Sequence, residues 1–313
     1  MIMNFGMQRL DKLPIPQNKD EIRCFIVVRN GEWRIPYFLY HYRSIGINRF
    51  FFIDNMSEDD TREVLLKQPD VHLWVTSNQY CKSNYGMDWL YKLLQSYGEG
   101  YWCIVVDIDE LLIFTNYEND SLNNFIVKMK NKKIYAGKGV VLDMYSNKKI
   151  KDTTYDVGSS YLDSCNYFEF PFIRHKLAKV INRIVRLDKY PRLDPFTGKG
   201  TVRHRVFGVS ACIRKYPIFL FGKNITLSPG CHRINGLDKL DSRFYFGLLH
   251  FKYFSDFLSS VVQEAKREQH WMGAVEYKQY ARCVNEELNL HSKRSIQYIN
   301  SIQLEEIGIL ANL

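Results

Sequence analysis

Residues 101–114 read YWCIVVDIDELLIF, and this stretch gives the first indication of the fold. The continuous apolar run from Tyr101 to Val106 is typical of a β-strand that is buried on both faces of a sheet. Asp107 and Asp109 follow directly, and residues two apart in an extended segment point the same way. The stretch therefore predicts a buried strand with an acidic site at its carboxyl end.

Strand and helix alternate along the chain before this stretch. Strands are predicted at 22–28, 49–53 and 71–75, and the helices that follow them at 36–46, 58–67 and 87–97. Repeated strand–helix units favour an α/β fold with a mainly parallel central sheet flanked by helices. Ligands of such sheets bind at the carboxyl ends of the strands, which here carry polar clusters.

The alternation of predicted strands and helices is less regular after residue 114. Further strands are predicted at 138–144, 203–214 and 216–221, and an amphipathic helix at 255–270. The polar stretch 145–200 is predicted to form loops that close over a second substrate.

Composition indicates a globular protein with anionic partners. The chain has 313 residues, 46% of them hydrophobic, and a net charge of +9. Its seven cysteines include no CxxC pair, which favours reduced thiols in the cytoplasm. Because no apolar run is long enough to cross a bilayer, we expect neither a membrane span nor secretion.

The two carboxylates of the opening stretch suit a divalent cation. Asp107 and Asp109 could hold Mg²⁺ or Mn²⁺ against a diphosphate, because such ions prefer oxygen ligands. The alternative is that the acidic residues only solvate the junction between strand and loop.

Residues 22–114 resemble the family 2-like bacterial glycosyltransferases, which have the GT-A fold and a DxD motif. The resemblance covers about a third of the chain. Its motifs, in order, are VRN at 28–30 with WRIPYFL at 33–39, FIDNMSED at 52–59, YGMDW at 85–89 and WCIVVDIDE at 102–110. Met56 stands where this family often has glycine, so a turn with positive φ would be strained there.

The resemblance implies a nucleotide-sugar donor, with UDP-sugar expected, and a bound Mn²⁺ or Mg²⁺. Arg29 and Asn30 would line the pocket for the nucleobase and ribose, and Asp54 would contact the uracil or ribose. Asp107 and Asp109 would flank the metal and ribose. The acceptor would be a glycan or a lipid-linked saccharide, whose hydroxyl would attack the donor sugar with inversion, assisted by a carboxylate as general base.

Asp88, within the YGMDW motif, and three residues outside the motifs are further candidates. The resemblance makes His250 a third metal ligand, although it could equally be a core histidine. Asp88 could reach the donor or only favour the dipole of its helix. Asp143 and Asp241 are the candidate bases, and both could instead be surface acids.

Basic residues could bind the diphosphate or an acidic acceptor. The segments RHK at 174–176 and RHR at 203–205 are candidates, since arginine matches phosphate oxygens. His232 is another possible site residue.

The expected organisation has three parts. Residues 1–20 form a loosely ordered lead-in, and residues 255–313 a C-terminal helical segment. The GT-A domain spans 21–254, with a nucleotide-binding half at 21–115 and an acceptor half at 116–254.

Two other functions fit parts of the sequence. A non-catalytic basic module for nucleic acid or an anionic membrane would explain the charge, but the basic residues are scattered and no nucleic-acid-binding signature is present. A nicotinamide-dependent dehydrogenase would fit the first strand and helix, but the GxGxxG motif is missing. We therefore expect no nucleic acid partner, while peripheral contact with an anionic membrane stays open.

Overall fold

The computed structural model describes residues 6–171, 199–238 and 240–313. The strands of these residues, in chain order, are β1 (Met7–Arg9), β2 (Ile22–Val28), β3 (Arg49–Asp54), β4 (Val71–Thr76), β5 (Trp102–Val105), β6 (Glu110–Phe114), β7 (Ala136–Asp143), β8 (Tyr167–Phe168), β9 (Arg214–Leu220), β10 (Thr226–Leu227), β11 (Ile234–Asn235), β12 (Phe246–His250) and β13 (Ile296–Gln297). β10 pairs with β11 and β8 with β13, and the others form the central sheet.

The central sheet has the order β1-β4-β3-β2-β5-β9-β7-β12-β6 among the described residues. β2, β3, β4 and β5 run parallel to one another, and β7 runs parallel to β12. β9 is antiparallel to both β5 and β7, so these two groups point in the same direction. β1 and β6 are also antiparallel to their neighbours. All strands of the sheet other than β1, β6 and β9 run in one direction, so the sheet is mainly parallel, as the sequence predicts.

Helices cover both faces of the sheet. In the described residues they are α1 (Ile35–Ser44), α2 (Thr61–Leu66), α3 (Met87–Tyr97), α4 (Leu122–Asn131), α5 (Val202–Phe207), α6 (Phe257–Arg267), α7 (Trp271–Cys283) and α8 (Ser301–Glu306). Phe50 and Phe52 of β3 pack in one apolar cluster with α1, α2 and α4, whereas Phe51 and Ile53 pack in another with α3. This alternation buries the strand on both faces and explains its continuous apolar sequence.

The later part of the chain departs from the prediction in two places. The strand predicted at 203–214 is wrong, because residues 202–207 form α5 and β9 begins only at Arg214. Val202 and Phe207 of this helix pack in a third apolar cluster with α6 and α7, and this tertiary packing outweighs local propensity. The C-terminal segment is helical over α6 and α7 and continues into β13 and α8.

Part of the predicted loop region can be described. Residues 150–152 and 161–163 form single 3₁₀ turns, while residues 172–198, with the basic segment 174–176, lie outside the described residues. No helix in the described ranges is both long and apolar enough to cross a membrane.

Helix α1 holds the edge strand β6 through its side chains. The Nε2 of His41 donates to the carbonyl oxygen of Leu112 at 2.8 Å. The hydroxyl of Tyr42 donates to the carbonyl of Glu110 at 3.0 Å and accepts from the amide of Leu112 at 3.1 Å. These bonds satisfy backbone groups that an edge strand would otherwise leave unpaired, and they fix the segment after Asp109.

The buried imidazole of His41 should make stability depend on pH. Burial lowers its pKa from 6.5 to about 4, although the bond to Leu112 partly offsets this effect. The unfolded chain therefore takes up a proton near pH 6.5 that the folded protein resists until about pH 4, so stability falls as the pH falls through this window. We expect this group alone to lower the free energy of unfolding by about 2 to 3 kcal/mol between pH 7.5 and 4.5.

Urea denaturation at the two pH values measures this loss. His41→Gln is the control, because its amide can still donate to Leu112 but does not titrate. Equal losses in wild type and variant would show that His41 does not cause the effect.

Candidate active site

A large cleft opens at the edge of the sheet where the parallel strands end. Its volume is about 1560 Å³, and its lining includes Arg29 and Asn30 after β2, Asp107 and Asp109 after β5, and His250 at the end of β12. The antiparallel strands β6 and β9 begin at the same edge. The sheet topology thus brings residues from distant parts of the sequence into one site.

The turns after β2 and β3 form one wall of the cleft. Arg29 donates to the carbonyl oxygen of Asn55 at 3.2 Å and pairs with Glu58 at 2.7 Å. Asn30 accepts from the amide of Glu58 at 2.9 Å. Asn30 and Met56 have positive φ angles of 50° and 58°, so the strained turn that the sequence suggests at Met56 is present.

Asp54 stabilises the turn after β3 from its buried side. Its side chain is fully buried and does not line the cleft. It pairs with Arg62 at 2.6 Å and accepts from the amide of Ser57 at 3.2 Å. Contact between Asp54 and a nucleotide stays a prediction, whereas its structural role in the turn is seen directly.

Lys215 of β9 is a site residue that the sequence does not reveal. Its Nζ lies 2.7 Å from Asp107 Oδ2 and 2.6 Å from Glu110 Oε1. Burial alone would lower the pKa of Lys215, but the two carboxylates raise it well above its usual range. Burial raises the pKa of Glu110, against the attraction of Lys215. In the sequence, Lys215 is noticeable only as a charged residue in an otherwise apolar strand. Its carboxylate partners are known only from the folded structure.

His250 joins Asp109 to Asp143. Its Nε2 lies 3.2 Å from Asp109 Oδ2, and its Nδ1 lies 2.7 Å from Asp143 Oδ1. Burial would lower the pKa of His250, but the two carboxylates raise it to about 9. Burial would raise the pKa of both aspartates, yet His250 holds that of Asp109 well below its usual range, and Arg203 with His250 does the same for Asp143.

The chemistry of these residues can be compared with what a divalent cation needs. No group of three or more His, Cys, Asp or Glu side chains converges as a metal site within the described ranges. However, Mg²⁺ commonly takes one or two carboxylates and completes its shell with phosphates and water. Two ligands about 2.1 Å from an ion and at right angles lie about 3.0 Å apart, close to the separation of Asp109 and His250.

The position of Asp143 is also consistent with His250 as a metal ligand. A histidine that binds a metal usually donates its other ring nitrogen to a carboxylate, which orients the ring. The 2.7 Å contact between Asp143 and Nδ1 leaves Nε2 directed at Asp109. With Nε2 deprotonated, Asp109 and His250 would supply two ligands to a divalent ion, and oxygens of phosphate or water would complete its shell.

Of the other predicted residues, Asp88, Asp143 and Asp241 lie outside the cleft lining, and His232 lies within it. Asp88 occupies the first turn of α3, and Asp241 is bonded to Arg243 and Tyr245 before β12. Asp143 is buried behind His250. His232 lines the cleft, and its Nδ1 lies 2.7 Å from the carbonyl oxygen of Arg214.

Helix α7 contributes residues that sequence reasoning does not identify. Glu276 lines the cleft and pairs with Arg203 at 3.1 Å and with Lys252 at 4.0 Å. Burial would raise the pKa of Glu276, but Arg203 and Lys252 lower it to about 2. The C-terminal helices are thus part of the site.

Removal of Lys215 should destabilise the protein. Lys215→Met leaves Glu110, whose side chain is 2% exposed, without its cation, so we expect a loss of about 3 to 5 kcal/mol in the free energy of unfolding. Adding Glu110→Gln should recover much of this loss.

Urea denaturation at pH 7 measures both effects. The control is Lys223→Met, because Lys223 is 82% exposed and its pair with Glu99 should contribute less than about 1 kcal/mol. A loss in Lys215→Met no larger than that in Lys223→Met would contradict the buried ion pair.

Comparisons with known proteins give partial structural likenesses only. No protein-family model matches the sequence, and no curated protein matches it. A Bacillus anthracis protein assigned as a glucose-1-phosphate thymidylyltransferase is 12% identical, with a TM-score of 0.28 over 44% of this chain and 67% of that one. UTP-bound UGPase from Acinetobacter baumannii is 9% identical, with a TM-score of 0.28 over 44% of this chain and 62% of that one.

A third structure, 4-diphosphocytidyl-2C-methyl-D-erythritol synthase, is 11% identical, with a TM-score of 0.28 over 44% of this chain and 65% of that one. The chain spans about two thirds of these structures or less, and each match covers less than half of the chain itself.

Proposed function

We propose that this protein is a glycosyltransferase of GT-A type. It would transfer a sugar from a nucleoside diphosphate, with UDP-sugar as the expected donor, to a hydroxyl of a glycan or a lipid-linked saccharide. The observation that carries the proposal is the pair Asp109 and His250, backed by Asp143, at the strand ends inside the cleft. The cleft volume of about 1560 Å³ exceeds that of a typical small-molecule pocket, which leaves room for donor and acceptor together.

The donor would lie across the ends of β2 and β5. Arg29 and Asn30 line this part of the cleft and would contact the nucleoside. The diphosphate would lie near Asp109, where Lys252 also lines the cleft. Lys252 and a nearby metal would attract the negative charge of the donor.

In the reaction, an acceptor oxygen attacks the anomeric carbon while the bond from that carbon to the diphosphate breaks. A bound Mn²⁺ or Mg²⁺ would neutralise charge on the departing diphosphate. Asp109 and His250 would hold this ion, and Asp143 would keep the imidazole oriented. Lys215 would restrain Asp107 beside them through its 2.7 Å ion pair.

A basic module for nucleic acid is less well supported. Such a module needs cations that are free to meet phosphates along a strand. In the cleft, Arg29, Arg203 and Lys215 are each paired with a carboxylate. Titration of the protein with UDP and Mn²⁺, and separately with an oligonucleotide in the same salt, distinguishes the two functions.

Binding of UDP should depend on Mn²⁺ through Asp109. We expect wild type to bind UDP at least about tenfold more tightly with Mn²⁺ than with a chelator, because an ion held by Asp109 would neutralise charge on the diphosphate. Asp109→Asn should lose most of this difference. Isothermal titration calorimetry measures the affinities, with the exposed Asp163→Asn as the matched control. If UDP affinity in wild type is the same in chelator, the metal proposal is wrong.

Asp143 should act on the metal through His250. Asp143→Asn removes the carboxylate on Nδ1, so we expect the Mn²⁺ concentration for half-maximal UDP binding to rise by about 10- to 100-fold. UDP affinity in chelator should stay unchanged, which a general loss of structure would not allow. An unchanged Mn²⁺ requirement in a folded Asp143→Asn variant would remove Asp143 from this role.

A further inference from the structure

Helix α6 presents a polar face to the cleft. Phe257 and Val261 are buried in the third apolar cluster, so the helix is fixed with its other side towards the cleft. The residues of α6 and its N-cap that line the cleft are Asp256, Ser259, Ser260, Gln263, Glu264 and Arg267. Hydroxyl, amide and carboxylate groups on one helix face suit a ligand that is rich in hydroxyl groups.

Asp256 differs from the other carboxylates in the described lining of the cleft. Each of the others accepts a hydrogen bond or ion pair of 3.4 Å or shorter, as Asp107 does from Lys215 and Glu264 from Arg267. The side-chain partner of Asp256 is Arg34, 3.8 Å from Oδ2; Asp256 also has a backbone hydrogen bond within its own residue, and its buried Oδ1 has no hydrogen-bond partner. The side chain is 43% exposed, so Oδ2 can reach a ligand.

Asp256 is connected to the proposed metal ligands through the backbone. Arg34 donates to the carbonyl oxygen of Phe251 at 2.7 Å, and the amide of Phe251 donates to the carbonyl oxygen of Asp109 at 2.8 Å. The guanidinium of Arg34 also lies over the ring of Trp33, 4.0 Å from its centroid. This arrangement sets Asp256 beside the DxD segment, with the aromatic ring of Trp33 nearby in the cleft lining.

We infer that Asp256 is the general base and that the polar face of α6 binds the acceptor. This inference rests on the proposed glycosyltransferase function and identifies the part of the cleft that would bind the acceptor. The acceptor O–H gives its proton to the carboxylate of Asp256 as the oxygen bonds to the anomeric carbon. The bond from that carbon to the diphosphate breaks, and the diphosphate leaves with the electron pair.

The environment of Asp256 suits a base. Burial raises its pKa above the ordinary value, with Arg34 partly opposing the shift, and a higher pKa makes a carboxylate a stronger proton acceptor. Asp143 is less suitable because both of its oxygens are already bonded, one to His250 and one to Arg203. Asp241 is bonded to Arg243 and Tyr245 and does not line the cleft.

The test uses water as the acceptor, so that no natural acceptor is needed. UDP release is measured with Mn²⁺ from UDP-glucose, UDP-galactose and UDP-N-acetylglucosamine, in wild type, Asp256→Asn and Asp241→Asn. We expect Asp256→Asn to lower the rate by about 100-fold or more with unchanged UDP affinity, and Asp241→Asn to match wild type. Azide needs no deprotonation and should restore release in Asp256→Asn, with formation of a glycosyl azide.

The outcomes separate the two proposals. Wild type that does not bind UDP, or that releases it from none of the three donors, contradicts the proposed function, and the inference about Asp256 is then wrong as well. Active wild type with an active Asp256→Asn variant, a loss of UDP affinity, or no rescue by azide overturns the role of Asp256 alone. If Asp256→Asn does not fold, Asp256→Ser is tested with azide in the same way.

Discussion

The structure of the site depends on His250, which lies between two carboxylates supplied by different parts of the sheet. Its strand β12 pairs in parallel with β7, which sets His250 opposite Asp143, and antiparallel with β6, which sets it opposite Glu110. Since a slip of one residue would turn the imidazole to the other face of the sheet, the register of three strands fixes the site. The packing that holds this register, including the bonds from α1 to β6, therefore also positions the proposed metal ligands.

Charge balance is the second constraint on the cleft. Acidic side chains at the strand ends would be costly to bury alone, and cations from later parts of the chain compensate them. Lys215 can do so because β9 runs antiparallel and begins at the edge where its neighbours end. Arg203 of α5 does the same for Asp143, and Glu276 of α7 balances Arg203 in turn. The C-terminal helices therefore take part in the electrostatics of the site.

The first half of the fold could be predicted because its strands are buried on both faces and its helices are amphipathic. β2, β3 and α3 lie where periodicity predicts them. The second half mixes parallel and antiparallel strands, and their order depends on contacts between distant residues, so sequence pattern could not give it. The short helix α5 was missed because its packing against α6 and α7 outweighs its local sequence.

The site was only partly predictable for the same reason. Asp107 and Asp109 follow a strand directly, so their position could be inferred from local sequence alone. Lys215 and Asp256 have partners more than a hundred residues away, which no local pattern identifies. Asp54 ends a strand as predicted, but its full burial and its bond to Arg62 are properties of the folded turn.

The central claim is that Asp109 and His250 hold a divalent ion beside a nucleoside diphosphate. An anomalous difference map from crystals grown with Mn²⁺ and UDP tests it most directly. The account predicts a manganese peak about 2.1 to 2.3 Å from a carboxylate oxygen of Asp109 and from Nε2 of His250, with the diphosphate on the same ion. A map in which UDP is bound and the manganese is absent, or lies more than about 4 Å from both side chains, would contradict the claim.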